Sequence, residues 1–310
     1  MAKKKEKKKE KKSASQPVRP LKIVRTIKDI RQLVAQARAR RKRIALVPTM
    51  GYLHQGHLSL VEEARRRAGL VVVSIFVNPL QFGPNEDLDR YPRDLSGDRK
   101  KLGRAGADVI FYPDPAEMYP EGFQTFVEVS KVTRDFCGAS RPGHFRGVAT
   151  VVCKLFNIVQ PDLAIFGEKD YQQLVTIKRM VQDLNLQVEI VGMPTVREED
   201  GLAMSSRNTY LSPEQRKKAA TIYRALSKAE RLLQEGERDA AEIAACALDL
   251  LRDEPDIQVE YVAVVDPQTM ERILQVEDEA ILMVAVHIGS TRLIDNIWLR
   301  VKKARRRNQR

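Results

Sequence analysis

From residue 22 onward, hydrophobic runs alternate with amphipathic stretches, and the alternation predicts strands and helices in turn. Residues 27–42 read as a helix leading into the apolar run Ile44-Ala45-Leu46-Val47. A loop with two glycines follows, then a helix from about His57 to Ala68. Leu70 to Val77 is nearly all apolar and rich in β-branched residues, the pattern of a parallel strand covered on both faces. A polar stretch with four prolines between 79 and 113 encloses a helix near 94–105, and Asp108–Tyr112 is the next strand. A buried helix over 148–159, a strand over 162–166, a helix over 171–183 and a strand over 188–191 complete the series. This order predicts an α/β unit, a Rossmann-like doubly wound parallel sheet with right-handed crossovers. Past residue 196 the pattern changes. Amphipathic helices near 213–235 and 238–253 precede strands at 256–265 and 280–288, which predicts a second, smaller α+β domain. The expected division is a Lys-rich tail over 1–20, an α/β domain over 21–195, a C-terminal α+β domain over 196–300 and a basic tail over 301–310.

Composition narrows the class. The chain of 310 residues is 43% hydrophobic and 31% charged, which excludes a fibrous, disulfide-built or wholly disordered protein. The apolar runs fall short of the roughly 18 residues that cross a bilayer. No apolar segment follows the Lys-rich start, so a secretory signal is not expected. Cys137, Cys153 and Cys246 make no CxxC pair and read as reduced thiols of a cytoplasmic protein. The net charge of +13 sits at the ends. Nine basic and two acidic residues lie in 1–20, seven basic and no acidic residues in 300–310, and 38 basic against 39 acidic residues between them. The nearly neutral body removes most support for a fold-wide nucleic-acid surface. The ends lack an apolar face and are expected to be disordered tails that bind nucleic acid weakly, if at all, and are not required for activity.

Four segments carry chemistry. Pro48-Thr49-Met50-Gly51-Tyr52-Leu53-His54-Gln55-Gly56-His57 leaves the first core strand and enters a helix, where ligands of open α/β sheets bind. Gly51 and Gly56 admit close backbone approach, the helix N-terminus suits phosphate, and His54 and His57 can donate to developing charge. Two histidines three apart are too few ligands for a metal site, and the bland alternative is a pair of ordinary loop residues. In Phe76-Val77-Asn78-Pro79-Leu80-Gln81-Phe82, the neutral amides of Asn78 and Gln81 suit a polar substrate, although Asn-Pro also simply begins turns. In Phe166-Gly167-Glu168-Lys169-Asp170-Tyr171-Gln172-Gln173, Lys169 offers charge to phosphate, Asp170 an acceptor for ribose or a helix cap, and Gln173 lies about a turn further on. Met204-Ser205-Ser206-Arg207-Asn208 is either a triphosphate clamp at the domain junction or a plain linker with a hydroxyl cap.

Taken in order, PTMGxxHxGH, FVNPxQF, RYPR, SRPGHFRG, FGEKDYQQ, MSSRN and RLIDN make residues 22–299 resemble the pantothenate synthetase (pantoate–β-alanine ligase) family. The HxGH element alone is shared with class I aminoacyl-tRNA synthetases and other nucleotidyltransferases. The resemblance implies ATP-dependent ligation through an acyl-adenylate: pantoate attacks the α-phosphorus of ATP, pyrophosphate leaves, and the β-alanine amine then displaces AMP. It implies ATP as substrate, Mg²⁺ carried mainly by the phosphates with no dedicated protein metal site, and a cytoplasmic homodimer. By motif position, His57, His54 and Lys169 take catalytic roles. Met50, Gly51, Gly56, Gly167, Glu168, Asp170, Val196, Met204, Ser205, Ser206 and Arg207 join them in binding ATP. Gln81, Gln173 and Asn78 face pantoate, with Gln81 bordering β-alanine as well. Arg141, His144 and Arg146 are further site-lining candidates. The alternative is another HxGH nucleotidyltransferase or adenylate-forming ligase. An acceptor bearing phosphate would call for Arg or Lys where this chain has Gln81 and Gln173. A tRNA synthetase would need an anticodon-binding module for which the chain has no room.

Overall fold

The computed structural model describes residues 21–84 and 86–302. The expected tail 1–20 and residues 303–310 of the expected basic tail lie outside the described residues, as does any property assigned to them.

The first part of the chain runs β1 (Lys22–Val24), α1 (Ile27–Ala39), β2 (Ile44–Thr49), α2 (Gln55–Arg67), β3 (Leu70–Ile75), α3 (Leu95–Ala105), β4 (Val109–Phe111) and the short α4 (Pro115–Met118). It continues with the short α5 (Cys137–Ser140), α6 (His144–Val159), β5 (Leu163–Gly167), α7 (Tyr171–Asp183) and β6 (Glu189–Met193). The strands form one sheet in the order β1-β4-β3-β2-β5-β6, every pair parallel. All six residues of β3 are buried, as the continuous apolar run predicts, and Val71, Val72 and Val73 are fully enclosed. Burying each such side chain contributes about 1.5–3 kcal/mol. One apolar layer, from Ile30 through Phe111 to Met180, covers one face of the sheet, and a second around Leu53, Val61 and Ile110 covers the other.

The rest of the chain forms α8 (Pro213–Ala219), α9 (Thr221–Glu235), α10 (Ala240–Arg252), β7 (Ile257–Val265), β8 (Glu279–Ile288) and β9 (Thr291–Arg300). Its three strands make a separate antiparallel sheet, β7-β8-β9. Helices α9 and α10 pack over that sheet, around a core drawn from Leu202 to Leu299. A further cluster joins the two parts through Val132, Phe136, Tyr171 and Val175 on one side and Ala263, Val265 and Met283 on the other.

Two sequence expectations change. The helix predicted over 213–235 is two helices, α8 and α9, that meet at Ala220. Its periodicity is continuous because both bury one side against the same core. The helix predicted over 148–159 begins at His144, because Gly143 takes a left-handed φ of 81° at its N-cap and starts the helix earlier. Strands β1 and β9 escape the pattern. β1 has only three residues at the sheet edge, and β9 interleaves Arg292, Asp295 and Asn296 with its apolar positions. Among the described residues no helix is long and apolar enough to cross a membrane.

Candidate active site

β2 and β5 are neighbours, but the sheet continues to β3 on one side and to β6 on the other. Their carboxyl ends therefore flank the crevice where open α/β sheets bind ligands. Segment 50–57 leaves β2 there, and the 3₁₀ turn Glu168–Asp170 leaves β5.

The first segment is a strained and braced loop. Gly51 and Tyr52 both adopt positive φ, 87° and 51°. The buried Asp98 carboxylate on α3 accepts the next two N–H groups, from Tyr52 and Leu53, at 2.8 Å each. From the C-terminal part, the Ser206 hydroxyl donates to the Tyr52 carbonyl at 3.1 Å. His54 is the N-cap of α2. Its Nδ1 accepts from Gly56 N–H at 3.2 Å, and His57 Nδ1 accepts from His54 N–H at 3.3 Å. A Cβ on residue 56 would lie 2.9 Å from His54 Cε1, so glycine is what lets the ring fold back over the turn. The two imidazoles perform the reciprocal capping that Ser and Glu perform in other helices.

That geometry fixes protonation. A ring nitrogen that accepts from a backbone N–H carries no proton, so each neutral ring keeps its proton on Nε2. Burial, then the nearby Lys169 charge, pushes the His54 pKa down to about 4. Burial, then His54, pushes His57 down to about 3. Near neutral pH both residues are uncharged, with Nε2–H left as the donor for a ligand.

In the turn that follows β3, Asn78 is buried and fully engaged. Its Nδ2 donates to Gln81 Oε1 and to the Gly147 carbonyl, both at 3.1 Å, and its Oδ1 accepts from Tyr119 OH at 2.8 Å and Leu80 N at 3.3 Å. Asn78 thus caps a 3₁₀ turn and orients Gln81, whose Nε2 lies 3.1 Å from Met50 Sδ. Arg141 and His144 border the same turn. Arg141 forks onto Glu86 at 2.7 and 2.6 Å, and His144 Nδ1 contacts the Gln81 carbonyl at 2.8 Å while its Nε2 faces Arg141. Burial, then Arg141, pushes the His144 pKa down to about 4. Arg146 does not join them: its guanidinium stacks 3.9 Å over the exposed Phe126 ring, away from the crevice.

On the β5 side, the Lys169 side chain is 19% exposed, which is not the state of a solvated surface charge. Its ammonium lies 3.7 Å from the Asp170 carboxylate. Asp170 stands at the N-cap of α7 but accepts no cap bond. Desolvation within the crevice opposes its ionisation although the side chain is half-exposed, yet Lys169 and Arg207 hold it below the usual carboxylate range. Gln173 follows on the first turn of α7 and lines the crevice.

The second part of the chain supplies a lip. Arg197 and Ala203 bridge in antiparallel fashion, and Met204 N–H donates to the Val196 carbonyl at 3.0 Å, which sets Val196 beside Met204 and Ser205. Ser205 caps the 3₁₀ turn Ser206–Tyr210. Arg207 donates through Nε and Nη2 to the two oxygens of Asp87 at 2.9 and 2.8 Å.

One cavity gathers Met50, His54, Gly56, His57, Asn78, Gln81, Arg141, His144, Gly167, Lys169, Asp170, Gln173, Val196, Met204, Ser205, Ser206 and Arg207. The apolar part of its lining is buried and comprises Phe76, Val148, Val151, Val152, Leu155 and Phe166. Gly51 and Glu168 do not line it: Gly51 packs against Ile75 and Asp98, and the Glu168 carboxylate accepts from Trp298 Nε1 at 3.2 Å, turned toward β9. Sequence reasoning missed Tyr91, Glu86 and Asp87. Tyr91 stands within the RYPR motif, where nothing local assigns it a role, and the two acids look like solvated loop charges until Arg141 and Arg207 are seen to meet them. Among the described residues, no group of three or more His, Cys, Asp or Glu could hold a metal ion, and Asp170 is the only carboxylate on the cavity wall.

Comparison with known proteins agrees with this geometry. The profile of a family described as pantoate-beta-alanine ligase matches residues 22–298. The pantothenate synthetase of Syntrophotalea carbinolica is 53% identical over 277 residues, spanning 89% of this chain and 98% of the relative. That of Desulfitobacterium hafniense is 55% identical over 274 residues, 88% of this chain and 97% of the relative. Among solved structures, the Thermus thermophilus pantothenate synthetase superposes with a TM-score of 0.85 at 52% identity, covering 89% of this chain and 98% of that one. A Francisella tularensis pantoate-beta-alanine ligase, described as complexed with beta-gamma ATP and beta-alanine, gives a TM-score of 0.74 at 34% identity over 90% of this chain and 97% of its own.

Proposed function

The chain belongs to the pantoate–β-alanine ligase family, and we propose that its crevice joins pantoate to β-alanine with ATP, releasing AMP and pyrophosphate through a pantoyl adenylate. A carboxylate is a poor acyl donor because oxide would have to leave. In the first step a pantoate carboxylate oxygen bonds to the α-phosphorus as the bond to pyrophosphate breaks. In the second the β-alanine amine bonds to the acyl carbon, AMP leaves, and the amine gives up a proton.

What supports this reading most is that the neutral Nε2–H imidazoles of His54 and His57 line one cavity with the neutral amides of Gln81 and Gln173, beside the carboxyl ends of β2 and β5. Phosphoryl transfer asks a protein mainly for positioning and charge stabilisation. Nε2–H of His54 and His57 serves as a donor to phosphate oxygens, Lys169 as a charge for the phosphates, and Ser205, Ser206 and Arg207 as a clamp from the lip. Val196 and Gly167 offer backbone to the adenosine side. Gln81 and Gln173 hydrogen-bond pantoate, and the apolar lining around Val148, Val152 and Phe166 takes its branched carbon chain. Asn78 acts on pantoate through Gln81.

Mg²⁺ is part of the proposal. A wall with a single carboxylate suits an ion that keeps most of its shell as phosphate oxygens and water. When bound it would offset charge on pyrophosphate, with Asp170 as the protein group available to it. The residues from 196 onward are read as a lid domain over the nucleotide, supported by their own sheet and core. A cytoplasmic homodimer completes the reading, on family resemblance and on three free cysteines.

The deciding experiment is exchange of labelled pyrophosphate into ATP with Mg²⁺ and pantoate, without β-alanine. Exchange that requires pantoate, followed by AMP and pantothenate once β-alanine is added, is the expected result. A folded, ATP-binding protein with no exchange would redirect the assignment to a nucleotidyltransferase with another acceptor.

A further inference from the structure

We propose that Asn296, on strand β9 of the C-terminal sheet, is a positioning residue for the ligation, acting through Lys169; this rests on the reading above. The RLIDN segment carries no role in that reading, and Asn296 is only 5% exposed. Its Nδ2 donates to the carbonyls of both Glu168 and Lys169, at 2.9 Å each. These are consecutive residues of the turn that carries the lysine. One amide satisfies both carbonyls only while the turn keeps its present rotation, and that rotation sets where the Lys169 side chain leaves the backbone.

Asn296 is itself held rigidly. Its N–H donates to Asp295 Oδ1 at 2.7 Å, and its carbonyl accepts from Arg197 Nη2 at 3.1 Å. Arg197 in turn forks onto the buried Asp295 carboxylate at 2.6 and 3.0 Å. Two residues further along β9, Trp298 Nε1 donates to the Glu168 carboxylate. β9 therefore grips the turn by its main chain and by the side chain that faces away from the cavity. Arg197 also adjoins Val196 in sequence, so one network holds both the lysine turn and the segment that brings Val196 to the cavity. The second part of the chain does more than supply Ser205, Ser206 and Arg207: the geometry points to a dependence of the first sheet's phosphate-binding lysine on the docking of the second sheet.

The test is a double-mutant cycle between residues 296 and 169, read by pantoate-dependent pyrophosphate exchange and by full ligation. Asn296→Ala removes both donors; Asn296→Asp keeps the shape but turns an acceptor on two carbonyls, and it covers the case in which the alanine cavity prevents folding. A misplaced group costs roughly 10- to 100-fold, so kcat is expected to fall by that factor with the pantoate KM nearly unchanged. In a Lys169→Ala background the same substitution is expected to cost little more, because residues that act as a unit are not additive. A purely structural role would lower the melting temperature and leave the turnover of folded enzyme alone. Normal kcat in folded Asn296→Ala, or the full loss repeated in the Lys169→Ala background, would overturn the proposal. Wild-type exchange in the same assay tests the family reading separately: its absence would count against that reading, whereas normal exchange with an additive cycle would count against Asn296 alone.

Discussion

The rings of His54 and His57 lie 4.0 Å apart, and both use Nδ1 to close the first turn of α2. Spending Nδ1 on backbone N–H groups leaves Nε2–H of each neutral ring as its free donor, the one that the proposed function uses. A pH dependence follows. In the unfolded chain these residues take up protons near the ordinary value of 6.5; in the folded chain they do so only near 4 and 3. Between those values the unfolded state binds more protons. Stability is therefore complete above about 6.5 and falls as pH drops toward 4. His144, lowered to about 4, adds to the same slope. Urea midpoints measured across this window should decline, and replacing His54 and His57 by Asn should flatten the decline. The turnover rate should show no histidine inflection near 6.5. Such an inflection, lost in His57→Gln, would mean that an imidazolium does the chemistry.

Much of this site is legible in the sequence because it hangs on short strand-to-helix turns. The apolar run 70–77 announces β3, and the residues following such strands are where an α/β sheet binds ligands. His54, His57, Lys169 and Gln173 could be placed from that rule and from spacing. Long-range polar pairs could not. Nothing local to Glu86 or Asp87 says that each meets an arginine 55 or 120 residues away. Glu168 misled for a related reason. It sits inside the motif, but the 3₁₀ turn sends its carboxylate to Trp298 while Lys169 and Asp170 face the cavity. Arg146 is drawn off by an aromatic partner, which no spacing rule reveals.

Asn78→Ala should damage pantoate use without touching the substrate directly. The amide makes four hydrogen bonds in a buried position, and its removal leaves the Gly147 carbonyl and Gln81 Oε1 without that donor. Leaving buried groups unsatisfied costs about 1–3 kcal/mol, so the melting temperature should drop. Gln81 would then be free to turn its amide. The pantoate KM should rise roughly tenfold, the loss of about one good hydrogen bond, while the ATP KM stays near its original value. Steady-state kinetics with each substrate varied in turn would check this. An equal rise in both constants would show general collapse of the site.

Gly147→Ala tests how closely α6 approaches the Asn78–Gln81 turn. A Cβ at residue 147 would sit 2.2 Å from the Leu80 carbonyl oxygen and 2.7 Å from Gln81 N. Both are backbone atoms, so no side chain can swing aside. The turn must move, and with it Gln81. Overpacking of this kind typically costs about 1–3 kcal/mol. The expected signature is lower stability together with a raised pantoate KM, and recovery of neither by higher ATP. Unchanged kinetics would mean that α6 shifts as a body and carries the turn with it.

Arg207→Lys separates charge from geometry in the proposed triphosphate clamp. Arg207 reaches Asp87 through two parallel N–H donors, and Tyr210 OH shares the same carboxylate at 3.3 Å. Burial opposes ionisation of Asp87, but the Arg207 fork holds its carboxyl below the ordinary range, so the pair stays charged. With Nε and one Nη2 hydrogen committed, the remaining guanidinium hydrogens are fixed in direction before ATP arrives. A lysine would keep the charge but could not grip both oxygens in one plane. If charge alone mattered, Arg207→Lys would bind ATP nearly as well as the parent. The fork predicts otherwise: a loss of roughly tenfold in kcat/KM for ATP, the scale of one charged hydrogen bond, approaching the loss in Arg207→Ala. Asp87→Asn should reproduce part of that loss although residue 207 is intact, because an amide accepts through a single oxygen. Raising ionic strength distinguishes the two terms further. A mobile lysine charge is screened by salt, whereas a preorganised, half-buried guanidinium is screened much less, so the Lys variant should lose ATP affinity more steeply as salt rises.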